Sequence, residues 1–261
     1  MRIALGIEYD GAGFHGWQSQ PHGNTVQDVL ERALAEVAGE SVRVTCAGRT
    51  DAGVHAIGQV AHFDSDVERL DNAWVRGTNA HLPETVAVRW AQSVAGEFHA
   101  RFAALSRSYR YVLCNQAVRP ALNHGRVGWC HRPLDATRMQ QAARLLLGEQ
   151  DFSAFRSAEC QAKSPLKTVY QAEVVRRGEI VLFDFRASAF LHHMVRNIVG
   201  ALVAVGTGTR APDWVGELIT DRDRTLAAPT FSPAGLYFSR VEYAPHWRLP
   251  AAEHLVGFFP G

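Results

Sequence analysis

The sequence predicts an α+β protein built from two units, each with a mainly antiparallel sheet and helices packed against it. Three observations carry this. Over the first hundred residues, stretches with a two-residue apolar period and stretches with a helical period alternate in the order β-α-β-β-α-β, the split βαβ or ferredoxin-like order. The second half mixes strands and helices again and contains a hairpin pattern. The chain has 261 residues, 47% of them hydrophobic, enough to fill one large core or two ordinary ones. No internal repeat is visible at the level of residues, but two similar units would leave a cleft between them.

The first strand is Met1 to Asp10, apolar alternating with small or charged residues, and it lacks the apolar core of a signal peptide. Gly11-Ala12-Gly13-Phe14-His15-Gly16 matches the G-x-G-x-x-G dinucleotide pattern, but Pro21 and Gly23 follow where that pattern needs a helix, which argues against a nicotinamide-dependent oxidoreductase. A helix capped by Thr25 runs through Val26, Val29, Leu30, Ala33, Leu34 and Val37 and stops at Gly39. Strands are expected over 42–46 and 58–63, then a short helix over 71–80 and a strand over 85–94. The first unit is taken to end at residue 104 and the second to span 105–247, leaving 248–261 as a tail without clear periodicity that includes Phe258 and Phe259.

In the second unit, 106–113 alternates as a strand, with Arg107, Tyr109, Tyr111 and Leu113 on one face and Ser108, Arg110 and Val112 on the other. Residues 115–133 form a long irregular loop. A helix from an Asp135 cap to Gly148, a hairpin of 167–175 and 180–187, an apolar helix from 190, a helix over 212–219 and a strand over 235–242 complete it. Arg196 within the apolar helix calls for an anion, a carboxylate or a phosphate. His192 and His193 are neighbours that a helix would splay by about 100°, without a ligand at i+4, so no metal site is expected.

The chemistry concentrates in Ala47-Gly48-Arg49-Thr50-Asp51-Ala52-Gly53-Val54-His55, where the second strand ends. Asp51 is its only carboxylate, and Gly48 and Gly53 suit a loop whose backbone approaches a ligand closely. Arg49 lies two residues away, and a loop that brings the two together would keep Asp51 ionised, as a nucleophile or base requires; a surface turn stapled by an Arg-Asp pair is the alternative. Net charge is only +1, yet 98–134 holds six arginines (Arg101, Arg107, Arg110, Arg119, Arg126, Arg132) and no acid. Interleaved with Phe98, Phe102, Tyr109 and Tyr111, this run points to a polyanion such as nucleic acid, or to a solvated face. The four cysteines show no C-x-x-C spacing, which argues against a disulfide framework or zinc knuckle. No apolar run reaches membrane-spanning length, and the expected location is cytoplasmic.

The loop Gly48-Arg49-Thr50-Asp51-Ala52-Gly53-Val54-His55 resembles the signature of the tRNA pseudouridine synthase A family. Glu8-Tyr9-Asp10-Gly11, Phe14-His15-Gly16-Trp17-Gln18, Phe98-His99-Ala100-Arg101-Phe102, Tyr109-Arg110-Tyr111, Asp151-Phe152-Ser153-Ala154-Phe155, Phe190-Leu191-His192-His193-Met194-Val195-Arg196-Asn197 and Ala234-Gly235-Leu236-Tyr237-Phe238 are similar to that family's landmarks, in the family's order. The resemblance spans residues 3 to 243. It implies the pseudouridine synthase fold, two ferredoxin-like units flanking a central basic cleft, and conversion of uridine to pseudouridine in the anticodon stem-loop of tRNA (positions 38 to 40). It further implies no cofactor or metal, and a homodimer. Asp51 would be the catalytic carboxylate, Arg196 its cationic partner and Tyr109 a platform for the target base that can also assist loss of the C5 proton. Leu236 would wall the pocket, and Arg49, Arg101, Arg107, Arg110 and His192 would contact substrate. The alternative is a non-catalytic RNA-binding module of the same fold.

Overall fold

The structure is a computed structural model that describes residues 1–21 and 23–250; the tail positions Phe258 and Phe259 lie outside the described residues. The described residues divide into two compact units, one comprising Met1–Leu105 and residues 237–250, the other Ser106–Leu236.

The first unit contains β1 (Arg2–Tyr9), α1 (Val26–Ala38), β2 (Thr45–Cys46), β3 (His55–Asp64), α2 (Asp71–His81) and β4 (Val86–Val94). Strand β1 lies between β4 and β3, antiparallel to both, and β2 pairs antiparallel with β3, giving the sheet order β4-β1-β3-β2 of a ferredoxin-like unit. Helix α1 buries Val26, Leu30, Ala33, Leu34 and Ala38, opens on a Thr25 side-chain cap to the Asp28 amide and closes on Gly39 at φ 71°. The expected strand over 42–46 is only two residues long. Val42 and Val44 are buried, which produces the alternation, but the Val44 amide donates to the Glu31 carboxylate of α1 (3.0 Å) instead of to a neighbouring strand.

The second unit contains β5 (Ala104–Asn115), β6 (Gly128–Cys130), α3 (Ala136–Arg144), β7 (Gly148–Asp151), β8 (Leu166–Arg177), β9 (Ile180–Ala187), α4 (Met194–Gly206) and α5 (Trp214–Asp221). Strand β9 pairs antiparallel with β5 and β8, and β7 extends β8. Two of these strands, β6 and β7, carry no sequence signal of their own: β6 pairs in parallel with β5 inside the long loop, and Asn115 fixes that loop by donating to the carbonyls of Cys130 (2.9 Å) and Arg132 (2.7 Å). The chain closes with β10 (Leu236–Tyr243), which the sequence order assigns to the end of the second unit; from Tyr237 it instead joins the first, pairing in parallel with β3 at Tyr237–His55 and Phe238–Ala56. The segment after it also packs on the first unit. Trp247 meets Phe98 edge-on at 5.1 Å, and its carbonyl accepts from Gln92.

Within the first unit, Phe98, Ala100, Ala4, Ala47 and Val60 form one buried cluster against Trp90, Tyr243 and Trp247. Beside it His62 accepts the Ala100 amide on Nδ1 (3.2 Å). Burial, with the charges of Arg2 and His99, pushes the His62 imidazole down to about 4. The folded state thus resists a proton that the unfolded chain accepts near the ordinary 6.5, so this contribution to stability is intact above about pH 6.5 and is lost as pH falls toward 4. Urea unfolding at pH 7 and pH 5 is expected to show a lower midpoint at pH 5, and His62→Gln is expected to flatten that difference.

Candidate active site

The Asp51 loop connects β2 to β3 and is held mainly by its own backbone. Its first amide, Ala47, donates to the Val60 carbonyl (2.7 Å), and the Gly48 carbonyl accepts from the fully buried Gln59 (2.7 Å). The Thr50 carbonyl accepts the Trp17 amide (3.0 Å), the Gly53 amide donates to the Phe14 carbonyl (3.3 Å), and the Val54 amide closes a turn on the Asp51 carbonyl (3.1 Å). The hydroxyls of Thr50 and Tyr9 share a buried hydrogen bond of 2.7 Å. Thr50, Val54 and His55 are buried, while Arg49 and Ala52 are exposed and Asp51 is half-buried. These anchors hold the main chain on both sides of Asp51 and at its own carbonyl, so the fold fixes where the Asp51 backbone stands.

The sequence reading treats 11–16 only as a misleading dinucleotide motif; the structure gives these glycines their purpose. A Cβ on Gly11 would lie 2.0 Å from the Val54 carbonyl oxygen, and one on Gly16 would lie 2.7 Å from the Thr50 carbonyl oxygen at a φ of +89°. The Gly11 amide also donates to Nδ1 of the buried His55 (3.0 Å), whose ring stacks on Tyr237 at 4.7 Å. Two backbones thus run against each other with no room for side chains. Cys46, at the loop's entrance, is a buried, unreactive thiol: burial pushes it up to about 12 despite the Arg49 and Arg101 charges.

In the second unit Tyr109 sits on β5 opposite Phe185 of β9, with its ring edge-to-face on Phe190 at 4.9 Å. The helix expected from residue 190 starts later. His193 takes a left-handed φ of 62° and α4 begins at Met194, and the two histidine rings lie 4.0 Å apart, tilted by 36°, instead of splaying as on a helix. The His192 amide points to the Cys160 sulfur (3.4 Å), and its carbonyl accepts from Ser157. Arg196, in the first turn of α4, exchanges two hydrogen bonds with Phe231: Nε donates to the Phe231 carbonyl (2.9 Å), and the Phe231 amide donates to the Arg196 carbonyl (3.2 Å). Leu236 is buried where β10 begins.

Asn197 braces α4 from within the core, a role its position in the sequence does not announce. Completely buried, it donates to the Phe155 carbonyl (2.8 Å) and accepts from Thr230 (2.7 Å) and Arg224 (3.1 Å), while Arg224 also holds the Ala228 carbonyl (2.9 Å). It thus ties α4 to the segment carrying Phe231. Its only sequence signal is a lone amide beside Arg196 in an apolar helix.

The arginines of the acid-free stretch divide by what they hold. Arg110 forms a two-pronged pair with Asp184 directly across the sheet (2.8 and 2.9 Å), which compensates its charge within the protein. Arg107 donates to the Ser188 carbonyl (3.1 Å). Arg101, Arg119 and Arg126 are exposed, and Arg101 lies 5.7 Å over the Phe102 ring.

A two-unit α+β frame with a rigid acidic loop and exposed arginines suits an enzyme acting on nucleic acid, and comparison with known proteins agrees. A family model described as tRNA pseudouridine synthase matches residues 6–103 and 142–244, and the chain belongs to that family, isomerases that convert uridine to pseudouridine in tRNA. It is 65% identical over 250 residues to the tRNA pseudouridine synthase A of Dechloromonas aromatica, covering 96% of this chain and 95% of that one. To the protein of the same name from Burkholderia mallei it is 58% identical over 253 residues, covering 97% and 94%. Membership favours the enzyme over the non-catalytic module. Among the described residues, no helix is long and apolar enough to cross a membrane.

Two variants test this framework. Gly16→Ala, which combines a strained φ with a clash against the Thr50 carbonyl, is expected to cost at least about 1–3 kcal/mol in denaturant unfolding and to lower activity further at temperatures where the protein remains folded. Asn197→Ala removes three buried hydrogen bonds, although Arg224 and Thr230 keep the one they share, and is expected to cost roughly 2–4 kcal/mol by the same measurement.

Proposed function

We propose that this enzyme isomerises uridines in the anticodon stem-loop of tRNA, at positions 38 to 40, with Asp51 as the catalytic carboxylate. The observation that carries the reading is the Asp51 loop itself: one half-buried acid on a backbone pinned on both sides, in a family whose reaction needs an ionised carboxylate at the base and ribose. The reaction breaks the N1–C1′ bond, turns the uracil and joins C5 to C1′. N1 gains a proton, and C5 gives one up.

Within this reading Arg196 supplies the cation. Its Nε is committed to Phe231, which orients the guanidinium plane, and the terminal nitrogens are the groups suited to a carboxylate or phosphate. Tyr109 offers a ring braced by Phe190 on which a uracil taken out of its stack can rest, offsetting part of an extrusion cost of about a few kcal/mol. Leu236 supplies an apolar wall, and His192 and Arg49 contact the target nucleotide. Arg101 and Arg107 meet phosphates, whereas Arg110, paired with Asp184, acts there mainly by holding β5 to β9. The active form is a homodimer, which light scattering on the purified protein tests directly.

Tritium release from tRNA carrying tritium at uridine C5 tests the central claim. Asp51→Asn is expected to lower release by on the order of 10³-fold or more while tRNA binding stays within a few-fold. Release at the native rate would remove Asp51 from the chemistry. Binding is also expected to weaken by roughly 10²-fold between about 50 and 200 mM salt if about four phosphates are contacted, and a flat response would contradict the arginine assignment.

A further inference from the structure

The turn from Phe98 to Ala103 is more constrained than a surface connection requires. Arg2 donates to the Phe98 carbonyl (2.8 Å), His62 accepts the Ala100 amide, and the Tyr243 hydroxyl donates to the Ala100 carbonyl (2.7 Å). His99 accepts the amides of Arg101 (3.2 Å) and Phe102 (3.3 Å) on Nδ1, and its own carbonyl accepts from Ala103 (2.9 Å). Phe98 and Ala100 are buried, and this fixed backbone turns Phe102 outward at 75% exposure.

Phe102 does not stand alone. Its ring lies 4.3 Å from that of His99 at 32°, and the Arg101 guanidinium lies 5.7 Å from its centroid, so three planar groups gather at one tip. Burial and the charge of Arg2 lower the pKa of His99, which favours the neutral form that accepts these amides. The turn and the Asp51 loop share a foundation, since Phe98 and Ala100 pack with Ala47 in one cluster.

We propose that Phe102, backed by His99 and flanked by Arg101, is a stacking platform for an unpaired nucleobase of the tRNA other than the target uridine. A flat aromatic face beside a guanidinium suits a base attached to its phosphate: the ring takes the π-face and the arginine the charge. The acid-free run from 98 to 134 favours an anionic partner, and tRNA is the anion on which this family acts. Because the turn is rigid before binding, the ordering cost is already met. The inference rests on tRNA as the substrate but not on the role of Asp51.

The test measures tRNA binding by Phe102→Leu and Phe102→Trp, each in the otherwise native protein and again in the Asp51→Asn background, so that the comparison holds whether or not Asp51 is catalytic. Phe102→Leu is expected to lower affinity by roughly 10-fold without changing the slope of log K against log salt, whereas Phe102→Trp keeps or improves it. Arg101→Gln is expected instead to reduce that slope by about one. Native binding by Phe102→Leu would overturn the proposal. So would equal losses in the leucine and tryptophan variants with a lowered melting temperature, which would mark a folding role, or a shift to a smaller particle in light scattering, which would mark a contact between copies of the chain.

Discussion

The close approach of two backbones, the turn at 11–17 and the loop at 47–55, is the constraint on which the rest of the first unit depends. Gly11 and Gly16 touch Val54 and Thr50 where no Cβ fits, and Trp17 and Phe14 exchange main-chain hydrogen bonds with Thr50 and Gly53. The same turn satisfies the start of α1, because the amides of Val26 and Gln27 donate to the carbonyls of Gly16 (3.1 Å) and Trp17 (3.0 Å). Helix, turn and loop are therefore one bonded series. Main-chain bonds of this kind have few alternative geometries, so the fold leaves the Asp51 backbone little freedom of position.

The second unit solves a related problem with side chains. Arg196 enters a helix of mostly apolar residues, and a cation there is tolerated only if its donors are directed. Phe231 directs one of them, and Asn197 holds the strand of chain that carries Phe231 through Thr230 and Arg224. A buried amide with all its partners present fixes one arrangement against others, because each alternative leaves a donor or acceptor unmet. Main-chain contact shapes the acid's loop; a side-chain hub shapes the surroundings of the cation.

Much of the fold is legible in the sequence because burial alternation and helix caps are local signals. Thr25, Gly39, Asp135 and the Gly178 hairpin mark their elements within a residue or two. The misreadings share a cause. Val42 and Val44 alternate like a strand but pack under α1 with Glu31 replacing a ladder partner, and the block 190–193 reads as helix because its apolar spacing continues, although His193 turns left-handed. In both places the pattern reports which side chains are buried, and burial does not say what the backbone bonds to.

The sequence by itself determined the class of fold, the family, and the residues of the Asp51 loop, since apolar periodicity and an ordered set of short motifs survive in one dimension. Tertiary structure alone decided what those residues do for one another. It showed that Gly11-Ala12-Gly13-Phe14-His15-Gly16 is a seat for the acidic loop, that Arg110 is occupied by Asp184, that Asn197 supports Arg196 through a third segment, and that β10 returns to β3. The physical reason is the same each time. These are contacts between residues far apart in the chain, set by steric fit and by where each buried polar group finds its partner, and neither quantity is written in the spacing of residues along the sequence.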